Sequence, residues 1–116
     1  MATATAKLKN LRMSARKVRL VVDMIRGKKV EDARAILQFT TKHSAEPLLK
    51  LVNSAAANAE HLARERGERV DADEWVISQI MVNEGRTMYR FQPTARGRAG
   101  RIRMRSSHVE LLLSEK

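Results

Sequence analysis

Cysteine is absent from the 116 residues, which excludes disulfides and thiolate metal sites and fits a reducing compartment. The opening stretch "MATATAKLKN" has no apolar h-region, and no apolar run approaches the length needed to span a membrane. These features predict a cytoplasmic chain without a membrane partner. Catalytic signatures are missing too. His43, His61 and His108 have no metal-ligand spacing, and neither a phosphate-binding glycine loop nor a hydrolase elbow occurs. No enzyme activity, metal or cofactor is therefore expected. The most informative absence is of acid: between Gly85 and His108 there are seven arginines and no Asp or Glu.

What is present is positive charge, +10 over the whole chain, gathered into two segments. Residues 7–29 carry nine basic groups against Asp23 alone, and residues 85–108 carry the seven arginines; the intervening 30–84 are mildly acidic. Self-repulsion on this scale disfavours the free chain, so a polyanionic partner is the natural reading. At this length the chain is read as one domain with a modest core.

Three helices are legible between the basic segments. Ser14 suits an N-cap for "SARKVRLVVDMIRG", which runs to Gly27, a good residue just past a helix end. Arg12, Arg16, Arg19, Asp23 and Arg26 fall on one face at 100° per residue. Ala15, Val18, Val22 and Ile25 form an adjacent apolar stripe. Those arginines read either as a solvated face or as a contact surface, and Lys28 and Lys29 beyond them favour contact. A second helix fits "VEDARAILQFT", with Glu31 and Asp32 near its positive end. A third runs from about Ser44 to Arg66, tolerating Pro47 in its first turn. Its predicted buried stripe is Leu48, Val52, Ala55, Ala59 and Leu62, and "AAANA" reads as a close-packing seam. Asn53, Asn58 and His61 read as polar surface, and Asp71, Asp73 and Glu74 as a solvated loop instead of a calcium site.

Strands are expected near Lys7–Arg12, after a frayed start, and in "WVISQIMV" and "HVELLL", with Trp75 in the core. The last two pair as a hairpin whose base is apolar (Ile77, Ile80, Val82, Val109, Leu111, Leu113) and whose turn lies in "QPTARGRAG". Past Glu84 and before His108 little can pack on the helices, so the arm should project, with a reach on the order of 40 Å. A period of two places Arg101, Arg103 and Arg105 on one face of the return strand, with Ile102 and Met104 on the other. Guanidinium groups pair with phosphate through two hydrogen bonds. Tyr89 and Phe91 can stack on unpaired bases or pack on their own hairpin. Gly97 and Gly100 allow positive φ or close backbone approach. The fold class predicted is α+β: three helices on a small antiparallel sheet, with a long protruding β-hairpin. The globular body takes about 1–84 and 109–116, and the basic hairpin about 85–108. An architectural DNA-binding protein would use such an arm as well.

At this point "SARKVRLVVDMIRGK", "SAAANAEH" and "PTARGRAGRIRMRSSH" resemble, in order, the three signature stretches of the bacterial ribosomal protein L twenty-two family. The resemblance spans about Lys7 to Leu113. It implies a non-catalytic constituent of the large ribosomal subunit that binds large-subunit rRNA and supports its early assembly. The hairpin would penetrate the RNA and form part of the nascent-peptide exit tunnel wall. Its neighbours would be ribosomal protein L four and the nascent peptide, and changes at its tip would perturb macrolide action. On the body the rRNA-binding residues expected are Arg12, Arg16, Lys17, Arg19, Arg26, Lys28 and Lys29. On the arm they are Arg86, Arg90, Arg96, Arg98, Arg101, Arg103, Arg105 and His108. The tunnel tip would be Pro93, Thr94, Ala95, Arg96, Gly97 and Arg98, with Met88, Tyr89 and Arg90 in the tunnel-side segment. The chain departs from the family pattern at Arg86, where a proline is common, and at Tyr89, where a lysine is. Both bear on the local kink and the tunnel face, not on the fold.

Overall fold

The computed structural model describes residues 3–68, 71–93, 97 and 99–115, those at 90–93 and 99–102 by their backbone alone. Along the chain run β1 (Thr3–Leu11), α1 (Ala15–Ile25), α2 (Val30–Phe39) and α3 (Ala45–Glu65), then a 3-10 turn at Ala72–Glu74. They are followed by β2 (Val76–Glu84), β3 (Met88–Pro93), β4 (Ala99–Met104) and β5 (Ser107–Ser114). This is the α+β architecture expected, three helices packed on an antiparallel sheet with a β-hairpin beyond it. The last strand, β5, is central, flanked by β1 and β2.

Each helix ends where its residues require. Ser14 is extended and its Oγ accepts from the Lys17 amide at 3.4 Å, starting α1. Gly27 then turns the chain with φ of 79°, a left-handed conformation that favours glycine. The next residues lock to the sheet: Gly27 N donates to Ile77 O at 3.1 Å and Val30 N to Trp75 O at 2.9 Å. Along α1 the buried stripe is Ala15, Val18, Val21, Val22 and Ile25, one residue wider than the sequence indicated. On α3, Leu48, Val52, Ala55 and Ala59 are buried as expected, but Leu62 is 39 % exposed and Ala63 faces the core instead. A helical stripe can continue by three or by four residues from Ala59; here the step of four holds. The small side chains of Ala55, Ala56 and Ala59 let this helix lie close against β1.

The strands differ from expectation in three places. The start is not frayed: Thr3–Leu8 pairs with Ser114–Val109, and Ala4 and Ala6 are buried. In β2, Ile77 and Ile80 both face the core although they are three apart, because the register shifts between Ile77 and Gln79. The extra residue of a bulge restores the period of two. Third, the arm is not one continuous hairpin. β2 and β5 belong to the three-stranded sheet, while β3 and β4 form a separate two-stranded one. Strand structure is interrupted at 85–87 and 105–106. Across that break Gly85 N donates to Ser106 O at 2.9 Å, and Ser106 Oγ donates to Arg86 O at 2.7 Å. A Cβ on Gly85 would lie 2.6 Å from Ser106 Oγ and 3.0 Å from His108 Nε2, so no larger residue fits there unchanged. The molecule measures 67 × 26 × 16 Å, a length that matches a hairpin projecting from the body.

Candidate nucleic-acid interface

The basic groups of the body divide by what they touch. Arg19 Nη2 donates to Val82 O at 2.8 Å and Arg26 Nη2 to Ile80 O at 3.0 Å. Both acceptors lie on β2, an edge strand, whose outward carbonyls would otherwise need water or a partner. Arg26 also pairs with Asp23 at 2.6 Å. Two arginines of the predicted binding face thus hold α1 to the sheet. Asn58 does the corresponding work at the opposite edge, donating from Nδ2 to Thr5 O at 2.9 Å. Arg34 links α2 to Asn53 on α3 at 2.7 Å and also pairs with Asp73. His61 Nε2 lies 3.2 Å from Glu65 Oε1. Asp71 caps the 3-10 turn through the Asp73 amide at 3.1 Å, so this acidic stretch is a folded turn and not an open loop.

The other body residues expected to bind RNA, Arg12, Arg16, Lys17, Lys28 and Lys29, are exposed. Lys28 and Lys29 sit in the α1–α2 connection, whose backbone is bonded to the start of β2 (Lys29 bridges Val76). Arg12 and Lys17 are brought to the hairpin. A tight turn after β1, with Met13 N donating to Leu11 O at 2.8 Å, places Arg12 beside the first turn of α1. Facing them across a cleft of about 450 Å³ stand Arg86, Arg103 and Arg105. No carboxylate lines this cleft among the described residues, and α1 has no acid in its first turn to offset the positive end of its dipole. Like charges so gathered repel by about 1 kcal/mol per close pair even in water. An anion entering the cleft reverses the sign of that term. Met13, Met88 and Met104 also line it.

The hairpin register fixes the arm residues. Met88 pairs with Met104, Tyr89 with Arg103, Arg90 with Ile102, Phe91 with Arg101, and Pro93 with Ala99. Met88 and Tyr89, assigned with Arg90 to the tunnel-side segment by resemblance, therefore open the hairpin at its root, and Arg90 is the third rung. The turn is at the other end, where Gly97 has φ of 72°. Arg105 lies beyond β4, in the break, so the alternation that grouped it with Arg101 and Arg103 stops at Met104. Thr94, Ala95, Arg96 and Arg98 lie outside the described residues, as do the side chains of Arg90, Pro93 and Arg101. His108 has a structural partner: its Nδ1 accepts from the amide of Asn10, the residue at φ 59° where β1 shifts register.

Sequence reasoning missed the cleft because its parts come from three separated segments. Met13, Met104 and Ser106 carried no signal as site residues. The run of arginines did mark the region.

A family model described as "Ribosomal protein L22p/L17e" matches residues 6–114. The chain is 49% identical over 116 residues to a protein of Desulfitobacterium hafniense named "Large ribosomal subunit protein uL22", covering 100% of this chain and 97% of that one. It is 49% identical over 113 residues to the Oceanobacillus iheyensis protein of the same name, covering 97% and 96%. With the Latilactobacillus sakei protein, also so named, identity is 45% over 114 residues, covering 98% and 93%. The chain belongs to the family of ribosomal proteins L22p/L17e.

Proposed function

We propose that this protein is a structural, non-catalytic constituent of the large ribosomal subunit in the cytoplasm, and that it binds large-subunit rRNA. In this reading residues 1–116 are one RNA-binding domain. The body holds the hairpin in place, and the hairpin threads RNA toward the wall of the peptide exit tunnel. Its turn, about Pro93 to Arg98, would meet the nascent peptide near ribosomal protein L four. Neither metal nor cofactor enters the reading.

The observation that carries it is the cleft at the hairpin root. Five cations from the β1–α1 turn, α1 and both sides of the arm converge there without a carboxylate among the described residues. Guanidinium groups bind phosphate by charge-assisted, paired hydrogen bonds. Among the described residues no helix covers the projecting two-stranded sheet beyond the cleft, which would gain its order from surrounding RNA.

Competition between structured large-subunit rRNA and duplex DNA at matched salt tests the reading. The rRNA should displace the DNA from the protein at far lower concentration. Equal competition by the two would leave an architectural DNA-binding protein as the better account.

A further inference from the structure

The cleft at the hairpin root is lined by more than charge. Met13, Met88 and Met104 stand among its cations. Met88 and Met104 are direct cross-strand partners on the first rung of the hairpin, 62 % and 38 % exposed. Directly opposed residues have their Cβ atoms within about 5.5 Å, so the two thioethers form one surface. Phosphate oxygens gain nothing from such a surface. A flat, polarizable aromatic ring does, because sulfur–aromatic contacts are favourable and unbranched methionine side chains adapt to its outline.

We propose that this cleft receives one unstacked nucleotide of single-stranded RNA. The base lies on Met13, Met88 and Met104, and its flanking phosphates meet Arg12, Lys17 and Arg86. The cleft, about 450 Å³, falls within the range of roughly 300–1,000 Å³ typical of small-ligand clefts. It lies open to solvent between the start of α1 and the hairpin root, so a nucleotide still joined to its chain can enter. Duplex RNA cannot use the floor of the cleft. Its bases are stacked and its major groove is too narrow for side chains to read, so it would touch the cationic rim alone. A peptide is disfavoured by the five cations, which call for a ligand carrying negative charge on both sides of its apolar part. The inference rests on the RNA-binding reading above and specifies the form of RNA that this site selects.

The test uses the full chain with carbon-13 labels on the methionine methyl groups. The probes are a tetra-adenylate and a blunt mixed-sequence RNA duplex. The tetra-adenylate should shift the methyl resonances of Met13, Met88 and Met104 by ring currents. Met24 and Met81, exposed elsewhere on α1 and β2, serve as internal references and should not move. Met88→Ala should weaken tetra-adenylate binding roughly two- to tenfold, the range of sulfur–aromatic contacts, and leave duplex binding unchanged. If the duplex shifts the same three methyls as strongly, or Met88→Ala weakens both probes alike, the single-nucleotide site is wrong while RNA binding stands. If neither probe binds, both readings fall.

Discussion

Basic side chains that look equivalent in the sequence do different work on α1. Arg19 and Arg26 donate to carbonyls of the edge strand β2, whereas Arg16 and Lys17 reach solvent. A charged donor removed from a part-buried carbonyl leaves that acceptor unpaired, at a cost of about 1–2 kcal/mol. Arg19→Ala should accordingly lower the unfolding free energy of RNA-free protein by about that amount in urea titrations. Lys17→Ala should leave stability within about 0.5 kcal/mol and instead weaken RNA binding. Equal destabilisation by the two changes would show that the division of labour on α1 is wrong. The same distinction applies to His108. Placed among RNA-binding residues by resemblance, it accepts the Asn10 amide and abuts Gly85, so its first task here is to hold the root of the hairpin.

At the scale of elements, what was legible in the sequence was whatever depends on local spacing. The Ser14 cap, the Gly27 stop and the apolar stripes of α1 and α3 all follow from a 3.6-residue period and cap chemistry. What was not legible depends on partners distant in the chain. Ala4 and Ala6 form a strand because β5 lies beside them, and the step from Ile77 to Ile80 makes sense only with a bulge. The break at Gly85 and Ser106 likewise needs two strands to be seen together. It divides the arm from the body: among the described residues β3 and β4 have each other as their one substantial neighbour, while β5 is paired on both edges and covered by helices. A two-stranded hairpin is marginal in water. In the RNA-free protein the amides of Tyr89 and Arg103 should therefore exchange on the order of a hundredfold or more faster than those of Val109 and Leu111. Comparable protection of both sets would mean that the hairpin is stabilised by contacts of its own.

For the molecule as a whole, the charge of +10 and the 67 Å length belong to one design, a small core carrying a cationic arm. Apart from Trp75 the core is aliphatic and alanine-rich, and among the described residues none of the core cluster comes from the arm. Binding through such a surface releases counterions, so affinity for large-subunit RNA should fall steeply with salt. With roughly eight phosphates neutralised, log K should change with log salt at a slope of about −6 to −7, between the duplex and single-strand cases. A slope near zero in filter binding would remove the electrostatic basis of the account. If the same contacts act together inside an assembled particle, enclosed by RNA, retention there should outlast that of the isolated pair. The most direct test of the central claim is therefore sedimentation of the tagged chain from cell extract after a high-salt wash. The account predicts that it travels with the large ribosomal subunit at about one copy per particle. Recovery of the washed chain at the top of the gradient, free of the large subunit, would contradict it.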